Sequence, residues 1–221
     1  MDARRSHLLW ILAAGGIGWA ASFSFGNALH LPRYTFIGVY SAMAISFLAA
    51  YFRWSQSNIA AHFKRHLWLG LIGAGVFSLV MVMGVVRQAR SAPPVGSELG
   101  FALLWLGIVY GVVDAFLLTV RPVLATFQFF ESASSLTGAA GRIFRAAAAM
   151  AASLFVTGAY HLGYAEFQGE AIMQPFIGNA IITFGYFLTA NPITPIVAHV
   201  AMHVAAVLWG IETTVQLPPH Y

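Results

Sequence analysis

The sequence predicts an all-α fold: a polytopic bundle of about seven transmembrane helices forming one integral membrane domain over residues 1–221. Three observations carry this expectation. Hydrophobic residues make up 59% of the chain and charged residues only 8%, against about 25% charged in a soluble domain. Apolar runs recur at roughly the 20-residue length with which a helix crosses a bilayer while satisfying its own backbone. The basic residues gather in the breaks between those runs, where they orient a membrane protein and meet anionic lipid.

The first run, about Leu8 to Phe25, follows Arg4 and Arg5, is about membrane length and lacks a clear small-x-small cleavage site, so it reads as a retained helix. Its Gly15, Gly16 and Gly18 suit close helix packing. The second run, about Tyr34 to Phe52, starts after the breaker Leu31-Pro32-Arg33. A polar, basic loop from Arg53 to His66 leads to the third, Leu67 to Val86. The turn Ser91-Ala92-Pro93-Pro94 introduces the fourth, about Leu99 to Phe127, which is longer than one crossing needs and is expected to kink or tilt at Pro122. After it, Phe130 to Phe144 reads as a small-residue linker with a short interfacial piece. The fifth run is Ile143 to Leu162, and an acidic loop containing Glu166 and Glu170 follows. The last two runs lie within Phe176 to Ala206 and are joined by a tight Asn191-Pro192 turn.

Counting Lys and Arg in the loops puts Arg4, Arg5, Arg53, Lys64, Arg65, Arg142 and Arg145 on the N-terminal side and Arg33, Arg87 and Arg90 on the other. The N-terminus is therefore expected to be cytoplasmic, in what is read as a prokaryotic inner membrane. The formal charge of +4 is accounted for by these loops, with no basic run suited to nucleic acid. The chain has no cysteine, which excludes disulfides, thiolate metal sites and cysteine catalysis. Its single lysine, Lys64, lies in a loop, which argues against a retinal Schiff base.

Ionisable groups at membrane depth cost about 2.5–3.5 kcal/mol on insertion scales, so each needs a reason. Four stand out. Asp114 lies near the middle of the fourth run, His161 near the end of the fifth, and His199 and His203 one turn apart on the last helix, where i and i+4 share a face. Asp114 is read either as a partner in an interhelical pair or as a general base or metal ligand. His161 by itself reads as an interfacial hydrogen-bonder. The HxxxH spacing of His199 and His203 presents two nitrogens to one point, without the glutamate of HExxH. Arg121, two turns beyond Asp114 and about 10 Å away by helical rise, is too distant to pair and is expected to snorkel to the headgroups. His7, His30, His62, His66 and His220 fall at termini or loops and read as solvated.

The order of these residues, a carboxylate on one helix, a histidine on the next, then Pro195-Ile196-Val197-Ala198-His199 with His203 four residues on, resembles the CPBP family of intramembrane proteases. That family contains the CAAX-processing endopeptidases and the bacteriocin-immunity Abi proteins. The resemblance covers about Leu99 to Leu208, within a core of residues 99–210, whereas residues 1–90 carry no motif. The family's EExxxR pattern falls on Val113-Asp114 through Leu118, so one acid and the arginine are absent. FxxxH falls on Thr157 to His161 and keeps the histidine. HxxxN falls on His199 to His203, with histidine in the asparagine place. The resemblance implies a water-accessible cavity among the last four helices in which Asp114, His161, His199 and His203 converge.

Three functional readings follow. In the first, Asp114 is a general base, His161 and His199 orient water, and His203 donates to the oxyanion during hydrolysis of a membrane-associated peptide. In the second, Asp114 and the three histidines form a four-ligand set for zinc or another divalent ion. In the third, the protein is a catalytically inactive subunit or scaffold of a membrane complex, and the polar cluster fixes helix register.

Overall fold

The computed structural model describes residues 3–131 and 138–218. It is an all-α bundle, with no strand among the described residues. Among the described residues eight helices follow one another: α1 (Ala3–Ala21, extended by a π-helical turn at Ser22–Ala28), α2 (Arg33–Ser55), a short α3 (Ile59–Lys64), α4 (Leu67–Val86), α5 (residues 96–131), α6 (Gly138–Leu162), α7 (Met173–Thr189) and α8 (Ile193–Trp209). Among the described residues six stretches are long and apolar enough to cross a membrane, and α8 is a shorter apolar helix of 17 residues. At 1.5 Å per residue α8 is roughly 26 Å long, near the lower limit for a crossing. This is an integral membrane architecture with the expected set of apolar runs.

The breaks have local causes. Pro32 precedes α2, whose end is marked by Gln56 in the left-handed region, φ 53°. Within the polar loop, Asn58 caps α3 by accepting from the Ala61 N–H at 3.0 Å. The Asn191-Pro192 turn is pinned from outside. Asn191 accepts the Ile193 N–H at 2.9 Å and donates to the Phe63 and Arg65 carbonyls at 2.9 and 2.6 Å, which ties the α7–α8 turn to the end of α3. The close α4–α8 contact depends on Gly73: a Cβ there would sit 2.5 Å from Thr189 Cγ2 and 2.8 Å from Thr194 Oγ1.

Three expectations meet the structure here. First, the fourth run is one continuous helix from Gly96 to Glu131, longer than one crossing needs, as expected, with Pro122 inside it. Proline has no N–H, so the Leu118 carbonyl loses its usual donor. Ser153 of α6 supplies one at 2.6 Å, and the preceding Ala115–Val120 stretch widens to a π-helix. Second, α6 begins at Gly138 rather than Ile143, so much of the expected linker is helix; residues 132–137 lie outside the described residues. Third, Arg121 does not snorkel. It is fully buried, donates twice to the Trp10 carbonyl at 2.5 and 2.9 Å, and stacks over Phe47 and Tyr51 at 5.1 and 5.2 Å. Its planar fork can hold one carbonyl and face two rings together, which explains an arginine there.

His7 departs in the same direction: it is half-buried in α1, packs edge-on against Trp54 at 4.9 Å and lies 3.4 Å from the Tyr51 hydroxyl. His30 and His66 are exposed, His62 is half-buried, and His220 lies outside the described residues.

Candidate functional site

Asp114, His161, His199 and His203 line one cavity of about 370 Å³. Its walls come from five helices, α4 through α8, so the third apolar run contributes as well as the last four. Met81, Leu118, Ile182 and Met202 supply apolar wall, while Tyr110 and Asn179 add polar atoms.

The approach of α5 to α8 makes the cluster possible. Gly111 lies one turn before Asp114, and a Cβ on it would fall 2.8 Å from Val200 Cα and 3.2 Å from His203 Cδ2. Without a side chain there, the two backbones close up and Asp114 meets His203 across the interface. Both residues are buried, and His203 Nε2 stands 3.6 Å from Asp114 Oδ2. That distance exceeds a direct hydrogen bond. Neither ring nitrogen of His203 has a hydrogen-bond partner within the described residues, and its ring packs on Tyr110 at 4.6 Å between centroids.

The other carboxylate oxygen is occupied. Tyr40 of α2 donates to Asp114 Oδ1 at 2.7 Å. This contact holds the carboxylate in place and leaves Oδ2 facing His203. Tyr40 stacks in turn on Tyr160 at 5.0 Å, and the hydroxyls of Tyr110, Tyr160 and Tyr164 form a chain with 2.8 Å links. Sequence reasoning missed Tyr40. It lies in the half of the chain without motifs, and an aromatic in a membrane helix is indistinguishable by sequence from one that packs against lipid.

His161 and His199 share one arrangement. Each ring places Nδ1 near the carbonyl one turn earlier on its own helix, Thr157 at 2.8 Å and Pro195 at 3.0 Å. A carbonyl can only accept, so Nδ1 carries the proton and Nε2 keeps its lone pair. The two rings therefore present acceptors to the cavity. Pro195 stands in the first turn of α8, where its missing N–H is harmless, and its carbonyl accepts the His199 imidazole N–H.

A second polar group fixes the adjoining wall. Asn179 of α7 accepts from Thr119 at 2.6 Å and donates to Ser153 at 2.8 Å, and Ser153 lies 3.0 Å from Thr183. These bonds tie α5, α6 and α7 together beside the cavity. Glu166 and Glu170 are exposed and do not line it.

The four residues share a cavity but do not close on one point. Among the described residues no three His, Asp or Glu side chains form a group able to hold a metal ion. The expected four-ligand set for zinc or another divalent ion is therefore not formed among the described residues, and the rings of His199 and His203 stand 6.4 Å apart between centroids.

Comparison with known protein families, curated proteins and solved structures finds no match to this chain.

Proposed function

We propose that the protein is an intramembrane hydrolase of the CPBP type, with Asp114 activating water against an acyl bond in a membrane-associated peptide. The observation that carries this reading is the buried pair Asp114 Oδ2 and His203 Nε2, 3.6 Å apart at the cavity wall, with Oδ1 already held by Tyr40. A carboxylate with one oxygen fixed and the other facing a cavity has the geometry of a general base.

In this mechanism a water molecule donates one proton toward Asp114 Oδ2 while the Nε2 lone pairs of His199 or His161 orient it. Its oxygen attacks the carbonyl carbon, and the proton moves to Asp114. His203, carrying a proton on Nε2, donates to the developing oxyanion. The C–N bond then breaks as Asp114 returns the proton to the leaving amine. Water is consumed and no other co-reactant is needed.

The test is cleavage of a membrane-anchored peptide library by the reconstituted protein, with products read by mass spectrometry. Asp114→Asn and His203→Ala should each lower the rate by about 10²- to 10⁴-fold, the usual contribution of a general base or a principal donor. Cleavage unaffected by Asp114→Asn rules the mechanism out.

A second reading is favoured by one feature. Val113 and Leu118 stand where the family places an acid and an arginine, and the Leu118 carbonyl is used structurally by Ser153. Under that reading the protein is an inactive scaffold whose polar cluster sets helix register. No cleavage by a folded, monodisperse preparation, together with destabilisation by the same substitutions, supports it.

A further inference from the structure

The segment that follows α8, residues 210–218, runs back across the end of the cavity. Val215 and Gln216 form part of the cavity wall, and Gln88 at the end of α4 meets them. Gln88 donates to the Gln216 side chain at 2.9 Å and accepts the Val215 N–H at 3.2 Å. Thr213 donates to the Ala89 carbonyl at 2.7 Å, and Trp209 donates to the Gln88 carbonyl at 3.0 Å. On the other side Arg33, buried at the start of α2, donates to the Pro218 carbonyl at 2.6 Å and to the Ile211 carbonyl at 2.7 Å. The segment is thus tied at both flanks, to α4 and to α2.

Another exposed part of the cavity wall lies on the side of the bundle. Val80 and Gly84 on α4 and Ile177 on α7 line the cavity and are also exposed on the outside of the bundle. Val80 lies six residues before the end of α4, roughly 9 Å below it by helical rise and so within the apolar span. The two helices touch further in, where the ring of Phe77 covers Gly185, whose Cβ would lie 2.8 Å from it. Toward Gln88 the crevice between them is open to its sides: a Cβ on Gly84 would meet nothing within 4 Å.

We propose that residues 210–218 act as a strap over the end of the cavity, and that a bilayer-resident chain with an uncharged polar group enters between α4 and α7. The charge requirement follows from the lining. Its residues include no lysine or arginine to hold an anion, and the amides of Gln88, Gln174 and Gln216 mark the end nearest the strap. This proposal rests on the hydrolase reading for its chemistry, but the route can be measured without any turnover.

The absence of cysteine makes single-cysteine access experiments clean. In proteoliposomes, Met202→Cys reports the cavity and Ala89→Cys the exposed surface beside the strap. A bilayer-soluble pyrene maleimide should label Met202→Cys, and a membrane-impermeant sulfonated thiol reagent should label it at least about 10-fold more slowly than Ala89→Cys. Gly84→Trp should fill the crevice and slow the pyrene reagent. Releasing the strap with Arg33→Ala, or with Gln88→Leu should Arg33→Ala not fold, should raise the sulfonate rate by about 10-fold, as expected for losing two hydrogen bonds that hold it shut. A neutral monoacylglycerol should protect Met202→Cys, and oleate should not. Equal sulfonate labelling of the two cysteines with the strap intact, or pyrene labelling indifferent to Gly84→Trp, overturns the route. Equal protection by oleate overturns the charge requirement. Each of these results leaves the hydrolase reading standing, and a protein that passes them without cleaving peptide fails only that reading.

Discussion

Tyr40→Phe removes a single oxygen and with it the 2.7 Å hydrogen bond to Asp114 Oδ1. Ring packing against Phe36, Tyr110 and Tyr160 is retained, so the change isolates the polar contact. Both partners are buried, and a carboxylate left without its donor loses about 1–3 kcal/mol. For a chain of this size that corresponds to a fall in Tm of about 2–12 °C. Thermal unfolding in detergent, followed by tryptophan fluorescence, measures it. A double-mutant cycle with Asp114→Leu makes the attribution specific, because Leu removes the acceptor and is tolerated at membrane depth. In the Asp114→Leu background the Tyr40→Phe penalty should vanish. A fall of less than about 1 °C in the parent, or the same fall in both backgrounds, refutes the argument that Tyr40 holds the carboxylate.

Other substitutions probe the joints that shape the site. Ser153→Ala should destabilise by about 1–3 kcal/mol in the same unfolding assay, since it strands the Leu118 carbonyl beside Pro122 and removes the acceptor for Asn179. Gly73→Ala should cost about 1–3 kcal/mol by pushing α4 off Thr189 and Thr194, whereas Gly75→Ala, with nothing within 4 Å of its Cβ, should gain about 0.5–1 kcal/mol from helix propensity. Arg121→Lys should lower stability by about 1–3 kcal/mol, because an ammonium cannot donate from a planar fork to Trp10 while stacking on Phe47 and Tyr51. An Arg121→Lys variant as stable as the parent would instead mean that this arginine reaches the interface.

The resemblance to an intramembrane protease and the structural cluster bear on different questions. Motif order singled out Asp114, His161, His199 and His203, and all four face one cavity. Their individual settings could not be read from order. His161 and His199 bond to their own helices, while His203 reaches Asp114 only because Gly111 lets α5 and α8 close up. A spacing of four residues gives two imidazoles a common face but says nothing of where their second nitrogens point. For that reason HxxxH suggested a metal site that the geometry does not form.

The sequence by itself determined the class of fold and the centres of the apolar runs, since hydropathy over about 20 residues and the Pro, Gly and Asn breakers act locally, while the start of α6 and the short α3 were not marked. It also marked the four ionisable groups, because each is conspicuous against an apolar background. What only the tertiary structure decided was every partnership across helices: Tyr40 on Asp114, Ser153 under Pro122, Arg121 on Trp10, and the strap held by Arg33 and Gln88. These pairs join residues 35 to 185 positions apart. No local pattern records which face of one helix meets which face of another, and it is that meeting, set by small residues and close packing, that turns buried polar atoms into a site.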